Sequence, residues 1–446
     1  VTVVSRLRHP LVAVGAAFLL TAPWIVAFGR GYPLSTLATV GLSGLGVVGA
    51  SFLLAWAAET AEKDVPTAFA IAVLAVLAVA PEYAVDALYA WNAGAYAGTP
   101  RGTEAANLAI ANMTGANRIL IGLGWSGIAI FTVYRAMHTG DPAVRNRPGW
   151  LSDSVQLDRD IGLEIVFLFL ATVWAFFVPF AGGIGMFDTV VLVGLYAAYI
   201  VVILRGEVEP PEEHGGVPAY FQGWTRPWRP LVVLVLFAFS GALIFSAVEP
   251  FAHGLEELGL QYGIPAFFMI QWIAPLASET PELIVVAVLV NKARSTAGFN
   301  ALISSKLNQW TLLIGTLAVV YSIALGQIGT LQFDLKQSVE IWVTAAQSLF
   351  AIALLINFEI SVRESIVLLA LFLSQVIIEF LILRVLAVPN PEELSLLFLD
   401  AYIVIYIALA AGLFVMRRGA VVDIFGIAAN TVRDAIWRET PTEHAD

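Results

Sequence analysis

Two glutamates occupy positions where water is scarce. Glu82 closes the stretch Ala78-Val-Ala-Pro-Glu82 and Glu282 closes Ser278-Glu-Thr-Pro-Glu282, each near the middle of a long apolar run. Ionisable side chains inside membrane-length apolar segments are costly and rare, so their default reading is functional. The proline before each glutamate removes a backbone donor and clashes with the preceding turn, so each Pro-Glu is expected to interrupt its helix. Carbonyls near Leu77 and Ala78, and near Ala277 and Ser278, then lose their intrahelical partners. Carboxylates, hydroxyls and freed carbonyls are the oxygen ligands that hard cations require. Glu82 and Glu282 are therefore the candidate metal-ion ligands. At a separation of ~6 Å and an effective dielectric of ~20 they would repel by about 3 kcal/mol, so a proton and a cation compete for the same oxygens.

Further polar residues cluster in the same apolar company. Glu279 lies three residues before Glu282, and two later stretches read Asn112-Met-Thr-Gly-Ala-Asn-Arg118 and Ser304-Ser-Lys-Leu-Asn-Gln309. Asn112, Asn117, Ser278, Ser305, Asn308 and Gln309 are candidates for lining the ion site, although Asn and Ser serve equally as hydrogen-bonding glue between helices. Glu279 reads as an ion-pair partner, or else as a direct ligand or proton carrier. Arg118 and Lys306 read as internal counter-charges, one of them paired with Glu279. Asp86, one turn beyond Glu82, suits a relay or an outer vestibule equally. Glu379 and Arg384 are expected to pair locally or to reach the interface. Trp24, Trp56, Trp91 and Trp150 read as an aromatic belt. Gly41, Gly44, Gly46 and Gly49 allow close helix approach.

The chain around these groups is made for a bilayer. Of its 446 residues 59% are hydrophobic and 13% charged, where a soluble domain carries roughly a quarter charged. Cysteine is absent, which excludes disulfides, thiol catalysis and Cys-ligated metal centres. The five histidines do not cluster, and the net charge of −11 argues against a nucleic-acid partner. No His-Glu-x-x-His, Gly-x-Gly-Asp or nucleophile elbow is present, so the chain does not read as an enzyme.

Apolar runs long enough to span as helices recur along the whole length, and twelve spans are expected. The third covers 66–91, the eighth 263–291, the tenth 340–356 and the eleventh 364–388. The first follows Arg6, Arg8 and His9 and lacks a small-x-small cleavage site, so it reads as a retained helix. With both termini inside, inner segments hold 17 of the 23 basic residues. Outer loops hold Arg30, Arg101 and Lys336, and three fall within spans: Arg118, Lys306 and Arg384. The fold class is an all-α polytopic membrane protein. Its expected parts are an extra N-terminal helix in 1–33, a first repeat in 34–205, a cytoplasmic linker in 206–229, a second repeat in 230–388, an extra helix in 389–416 and a cytoplasmic tail in 417–446. The tail, with Val421, Ile424, Phe425 and Ala428, has amphipathic spacing suited to the inner membrane face.

The repeat is read from order and topology together. Each Pro-Glu segment follows a span that ends in an acidic stretch and a proline, and precedes a helix that starts polar and turns apolar. The motif spans are the third and eighth, so five steps separate them and the two copies run oppositely through the membrane. Inverted repeats with broken helices meeting at the midplane are a recurring build of secondary transporters.

These residues resemble the alpha repeats of the sodium/calcium exchanger (cation/calcium exchanger) family, whose repeats read approximately Gly-Thr-Ser-x-Pro-Glu and Gly-Asn-x-x-Gly-Ser-Asn. The first element stands here as Ala78–Glu82 and Ser278–Glu282, the second as Ala111–Asn117 and as Ser304–Lys306. The resemblance covers roughly 34–388 and implies ten core helices in two inverted sets of five, with one extra helix at each end. It also places Val79 and Glu279 at a hydroxyl-ligand position, and Leu120 and Gln309 at a further Asn/Asp position.

The implied function is secondary active cation antiport, coupling sodium or protons to another cation across the cell membrane. Two resident cations, Arg118 and Lys306, disfavour a divalent ion, so calcium ranks behind monovalent exchange. No resident cofactor is expected, only transported ions: Na+ and H+, with Ca2+ and K+ as further candidates. The expected partners are membrane lipid and small cations, and the sequence carries no signal of oligomeric state. The alternative is a non-transporting sensor or scaffold on a degenerate exchanger fold.

Overall fold

A computed structural model describes residues 9–64, 80–205 and 216–437. The stretch before Ala80, with Leu77, Ala78, Val79 and most of the third expected span, lies outside the described residues, as does the acidic part of the linker. Among the described residues ten helices are long and apolar enough to cross a membrane, and the bent segment 266–291, taken as one span, makes an eleventh.

The first helices are α1 (Pro10–Arg30), α2 (Thr36–Ala61) and α3 (Ala80–Ala95). A polar-start span follows as α4 (Pro100–Ile119), a π-helical turn (Leu120–Trp125) and α5 (Ser126–Thr139). Then come α6 (Gly162–Ala175) and α7 (Met186–Arg205). A short α8 (Val217–Gln222) leads to the long α9 (Trp228–Gln261). The second motif lies on α10 (Ala274–Asn291), entered through a π-helical turn at Met269–Ile273. After it stand α11 (Ser295–Asn308), a third π-helical turn (Gln309–Leu313) and α12 (Ile314–Leu325). The chain closes with α13 (Leu335–Leu355), α14 (Val362–Arg384), α15 (Pro391–Met416) and α16 (Arg418–Trp437).

Local chemistry sets these boundaries. Thr99 caps α4 by accepting from the Gly102 amide, with Pro100 in the first turn, where its missing donor costs nothing. Asp334 caps α13, and Ser361 with Glu364 forms a capping box on α14. Gly31, Gly140 and Gly326 end α1, α5 and α12 in the left-handed conformation that glycine adopts without strain.

The contacts repeat with the two halves exchanged. α3 packs on α12, as α10 packs on α5; α7 packs on α12, as α14 packs on α5; and α6 meets α11, as α13 meets α4. The halves therefore interlock as inverted repeats, with α2 and α9 packed along each other. Short strands obey the same exchange. β2 (Ser154–Gln156) pairs antiparallel with β5 (Glu359–Ser361), and β3 (Gly183–Ile184) pairs with β4 (Leu331–Gln332). A further strand, β1 (Val144–Arg145), extends the first pair. Nearly every residue of α13 is buried, so it stands at the centre of the bundle.

Several expectations shift. Trp24 does not face outward; it is buried, and its indole N–H donates to Ser246 at 3.2 Å. Of the α2 glycines, Gly44 meets Phe251 of α9 while Gly46 and Gly49 face α1, so small residues serve two neighbours at once. The linker region contains a helix, α8, which buries Val217, Pro218 and Phe221. Asp64, just beyond α2, pairs with Arg229 and Arg226, which ties the end of α2 to the start of α9. The tail is the helix α16, which buries Ile424, Ala428 and Ala435 and packs on α6 and α7.

Candidate ion site

The second motif helix bends by 48° between Thr280 and Glu282, where Pro281 supplies no backbone donor. Around it the sequence-nominated residues fall into three connected groups. In the first, Glu279 is fully buried and accepts at Oε1 from Gln309 Nε2 at 2.6 Å, and Glu282, half-buried, accepts from the Ser305 hydroxyl at 3.0 Å. Both bonds join α10 to the polar stretch of its own repeat.

The second group belongs to α3. Glu82 is 3% exposed and lies against the Ser278 side chain of the opposite repeat. It feels the charges of Glu282 and Asp86, while Glu279 feels those of Glu82, Glu282 and Lys306. The residue beside it, Tyr83, donates its hydroxyl to Asn308 Oδ1 at 2.8 Å, again across the repeat boundary. Asp86 is fully buried and accepts from Asn112 Nδ2 at 2.8 Å, so it is an interior carboxylate and not a vestibule residue.

Unpartnered atoms define the chemistry of this region. Glu82 Oε2, Glu279 Oε2, Asp86 Oδ2, Asn112 Oδ1 and Gln309 Oε1 are all buried without a hydrogen-bond partner. Every one is an acceptor oxygen. Buried polar atoms are ordinarily satisfied, so a set of unsatisfied acceptors on two helix pairs suits a bound cation or a proton. Among the described residues no three His, Asp or Glu side chains are close enough to hold a metal ion by themselves. Hydroxyl and amide oxygens would have to complete a coordination shell.

The third group holds the cations. Lys306 is fully buried; its ammonium donates to Asn117 Oδ1 at 2.7 Å and sits 4.0 Å over the Trp310 ring. Asn117 is held in turn by its own Nδ2–H bond to the Met113 carbonyl. Arg118 does not pair with Glu279. Its Nη1 lies 2.5 Å from Glu340 Oε2, and its guanidinium stacks over Trp272 at 4.8 Å. Nor does Glu379 pair with Arg384. It binds Lys336 and accepts from Gln375 at 2.8 Å. Lys336, assigned to an outer loop on sequence, sits in the first turn of α13 and also reaches Glu340 at 2.9 Å.

Sequence reasoning passed over Gln271, Lys336 and Glu340. A signal existed for two of them. Glu340 is a carboxylate at the edge of an expected span, and Gln271 precedes Glu279 by eight residues, about two helical turns, which puts both on one face. Gly115 is required beside Gln271: a Cβ there would collide with the Gln271 carbonyl.

The sequence pattern of the sodium/calcium exchanger protein family matches residues 35–205 and 232–381. A crystal structure of an H+/Ca2+ exchanger, CAX, superposes with a TM-score of 0.83 at 43% identity, covering 95% of this chain and 98% of that one. Two structures of YfkE, one described as a Ca2+/H+ antiporter protein, superpose with TM-scores of 0.55 and 0.57 at 16% and 14% identity, each covering 82% of this chain and 98% of the other. These last two attest the fold alone. No curated protein sequence matches significantly. With 43% identity over nearly its whole length and a pattern match to both halves, the chain belongs to the sodium/calcium exchanger protein family and is a secondary active cation transporter.

Proposed function

We propose that the protein exchanges protons for calcium at a site between its two Pro-Glu helices. The observation that carries this reading is the set of unpartnered acceptor oxygens on Glu82, Glu279, Asp86, Asn112 and Gln309, in contact through Ser278 and Tyr83 across the repeat boundary. Glu82 and Glu282 are the metal-ion ligands, with Glu279, Asn112, Asn117, Ser278, Ser305 and Gln309 supplying further oxygens or holding the ligands in place. Lys306 is the internal counter-charge. Calcium favours six to eight oxygens in a flexible shell, which a mixed set of carboxylate, amide and hydroxyl groups can provide.

Glu340 neutralises Arg118, which leaves Lys306 as the resident charge that opposes a divalent ion. Four carboxylates then face one ammonium, and a buried excess of negative charge is costly. Protons relieve that excess when no cation is bound, and each positive charge that enters favours release of one proton. The relative similar at 43% identity, named as an H+/Ca2+ exchanger, supports the same pair of ions. Alternating access would come from α2 and α9 moving past the site helices.

Purified protein in vesicles with imposed proton, sodium and calcium gradients tests the proposal. Calcium uptake driven by an outward proton gradient, accompanied by proton loss from the vesicle lumen, is expected. Calcium uptake that follows only a sodium gradient, or none with any gradient, would overturn it.

A further inference from the structure

A second buried charge cluster, separate from the carboxylates of the ion site, surrounds Arg118. Arg118 Nη1 meets Glu340 Oε2 at 2.5 Å, and the same oxygen accepts from Gln271 Nε2 at 2.9 Å. Lys336 bridges Glu340 to Glu379, and Gln375 completes the far end at 2.8 Å. Arg118, Glu340 and Glu379 are fully buried. Two cations and two carboxylates make a neutral set that joins α4, the turn before α10, α13 and α14.

Its place matters more than its stability. Arg118 follows Asn117, whose side chain holds the Lys306 ammonium beside Glu279. An uncompensated guanidinium there would repel any ion entering the site. Repulsion energy scales with the charge of the ion, so a divalent cation suffers twice the penalty of a monovalent one. In a water-poor interior no solvent screens it.

We infer that Glu340 is a specificity-determining residue: by neutralising Arg118 it allows a doubly charged ion to bind beside Asn117. It acts through Arg118 and does not touch the ion. Through Gln271 it also steadies the segment that leads into Glu279. The inference rests on the proposed cation site, and the test separates the two.

Calcium and sodium affinities are measured for the wild type, Glu340→Gln, Arg118→Gln, the double variant Arg118→Gln/Glu340→Gln and the charge-conserving Glu340→Asp, each by titration calorimetry of the purified full chain. Because the penalty doubles with charge, the calcium loss in Glu340→Gln is expected to be the square of the sodium loss, for instance about a hundredfold against about tenfold. The double variant, neutral again, is expected to return to within about threefold of the wild type, and Glu340→Asp to stay near it. Equal losses for the two ions, a double variant no better than Glu340→Gln, or a hundredfold loss in Glu340→Asp would each overturn the inference. If Glu340→Gln does not fold, the double variant and Glu340→Asp still decide it. A wild type that binds neither ion removes the site proposal itself, whereas a wild type that binds calcium with Glu340→Gln unchanged removes only the role of Glu340.

Discussion

Lys306 donates its ammonium to Asn117 Oδ1 at 2.7 Å, which joins residues that hold equivalent places in the two repeat motifs. Two asparagines here would leave the boundary uncharged. A lysine instead puts a fixed positive charge at the boundary between the halves, held by an amide and by the Trp310 ring. It shares the boundary with Glu279, whose Oε2 is unpartnered.

Lys306→Gln is therefore expected to tighten calcium binding by up to about a thousandfold, since one resident charge at ~8 Å and a dielectric of ~20 opposes each unit of ionic charge by about 2 kcal/mol, about 4 kcal/mol for a divalent ion. Calcium titration of the purified variant checks this. Weaker binding in a folded variant would show that the ammonium supports the site instead of opposing its ion.

Glu82→Gln and Glu282→Gln are each expected to lower calcium affinity by about 3 kcal/mol, over a hundredfold, because each removes an anionic ligand from the proposed buried site. Proton-driven calcium uptake in vesicles should fall in step. Uptake at the wild-type rate in either variant would remove that residue from the site.

Gly115→Ala tests how closely the halves must approach. Its Cβ would strike the Gln271 carbonyl, and backbone cannot yield as a side-chain tip can. Destabilisation of about 1–3 kcal/mol is expected, with loss of exchange even where the protein is recovered folded. A Gly115→Ala protein with normal melting temperature and normal flux would show that the contact is loose.

The link between α2 and α9 predicts a pH dependence of stability. The Arg229 guanidinium bonded to Asp64 holds that carboxyl down at about 2, from an ordinary 3.8, with Arg226 adding a weaker effect. A lowered folded-state value means that the bond contributes fully above pH ~4 and is lost as pH falls through ~2. The wild type should thus unfold at higher temperature than Asp64→Asn at neutral pH, and the gap should close between pH ~4 and ~2. A gap that persists at pH 2 would assign the effect to packing.

The order of elements was readable because apolar length and proline are local properties. Ten spans and the bent segment 266–291 stand where hydrophobic runs predicted them, and the exchanged contacts of α3 with α12 and α10 with α5 agree with the odd number of steps between the motifs. The two glutamates stood out for an equally local reason, since a charge in an apolar run is costly wherever the run ends up. Gly41, Gly44, Gly46 and Gly49 were visible too, but not that Gly44 faces α9, that Gly46 and Gly49 face α1 and that Gly41 meets no neighbour.

What a local pattern cannot contain is the partner of a buried charge. Arg118 lies 222 residues from Glu340, and Lys336 lies 43 from Glu379. The sequence reading offered Arg118 or Lys306 to Glu279, and a local pair or the interface to Glu379 and Arg384; the fold gave Arg118 and Glu379 to residues of α13. Sequence alone determined the membrane-spanning class, the inverted repeat and the nomination of Glu82, Glu279 and Glu282. Only the tertiary structure decided which buried cation pairs with a carboxylate, Arg118 with Glu340, and which is held by an amide, Lys306 with Asn117, because pairing across a low-dielectric interior depends on distance in space and charge separation along the chain carries no record of it.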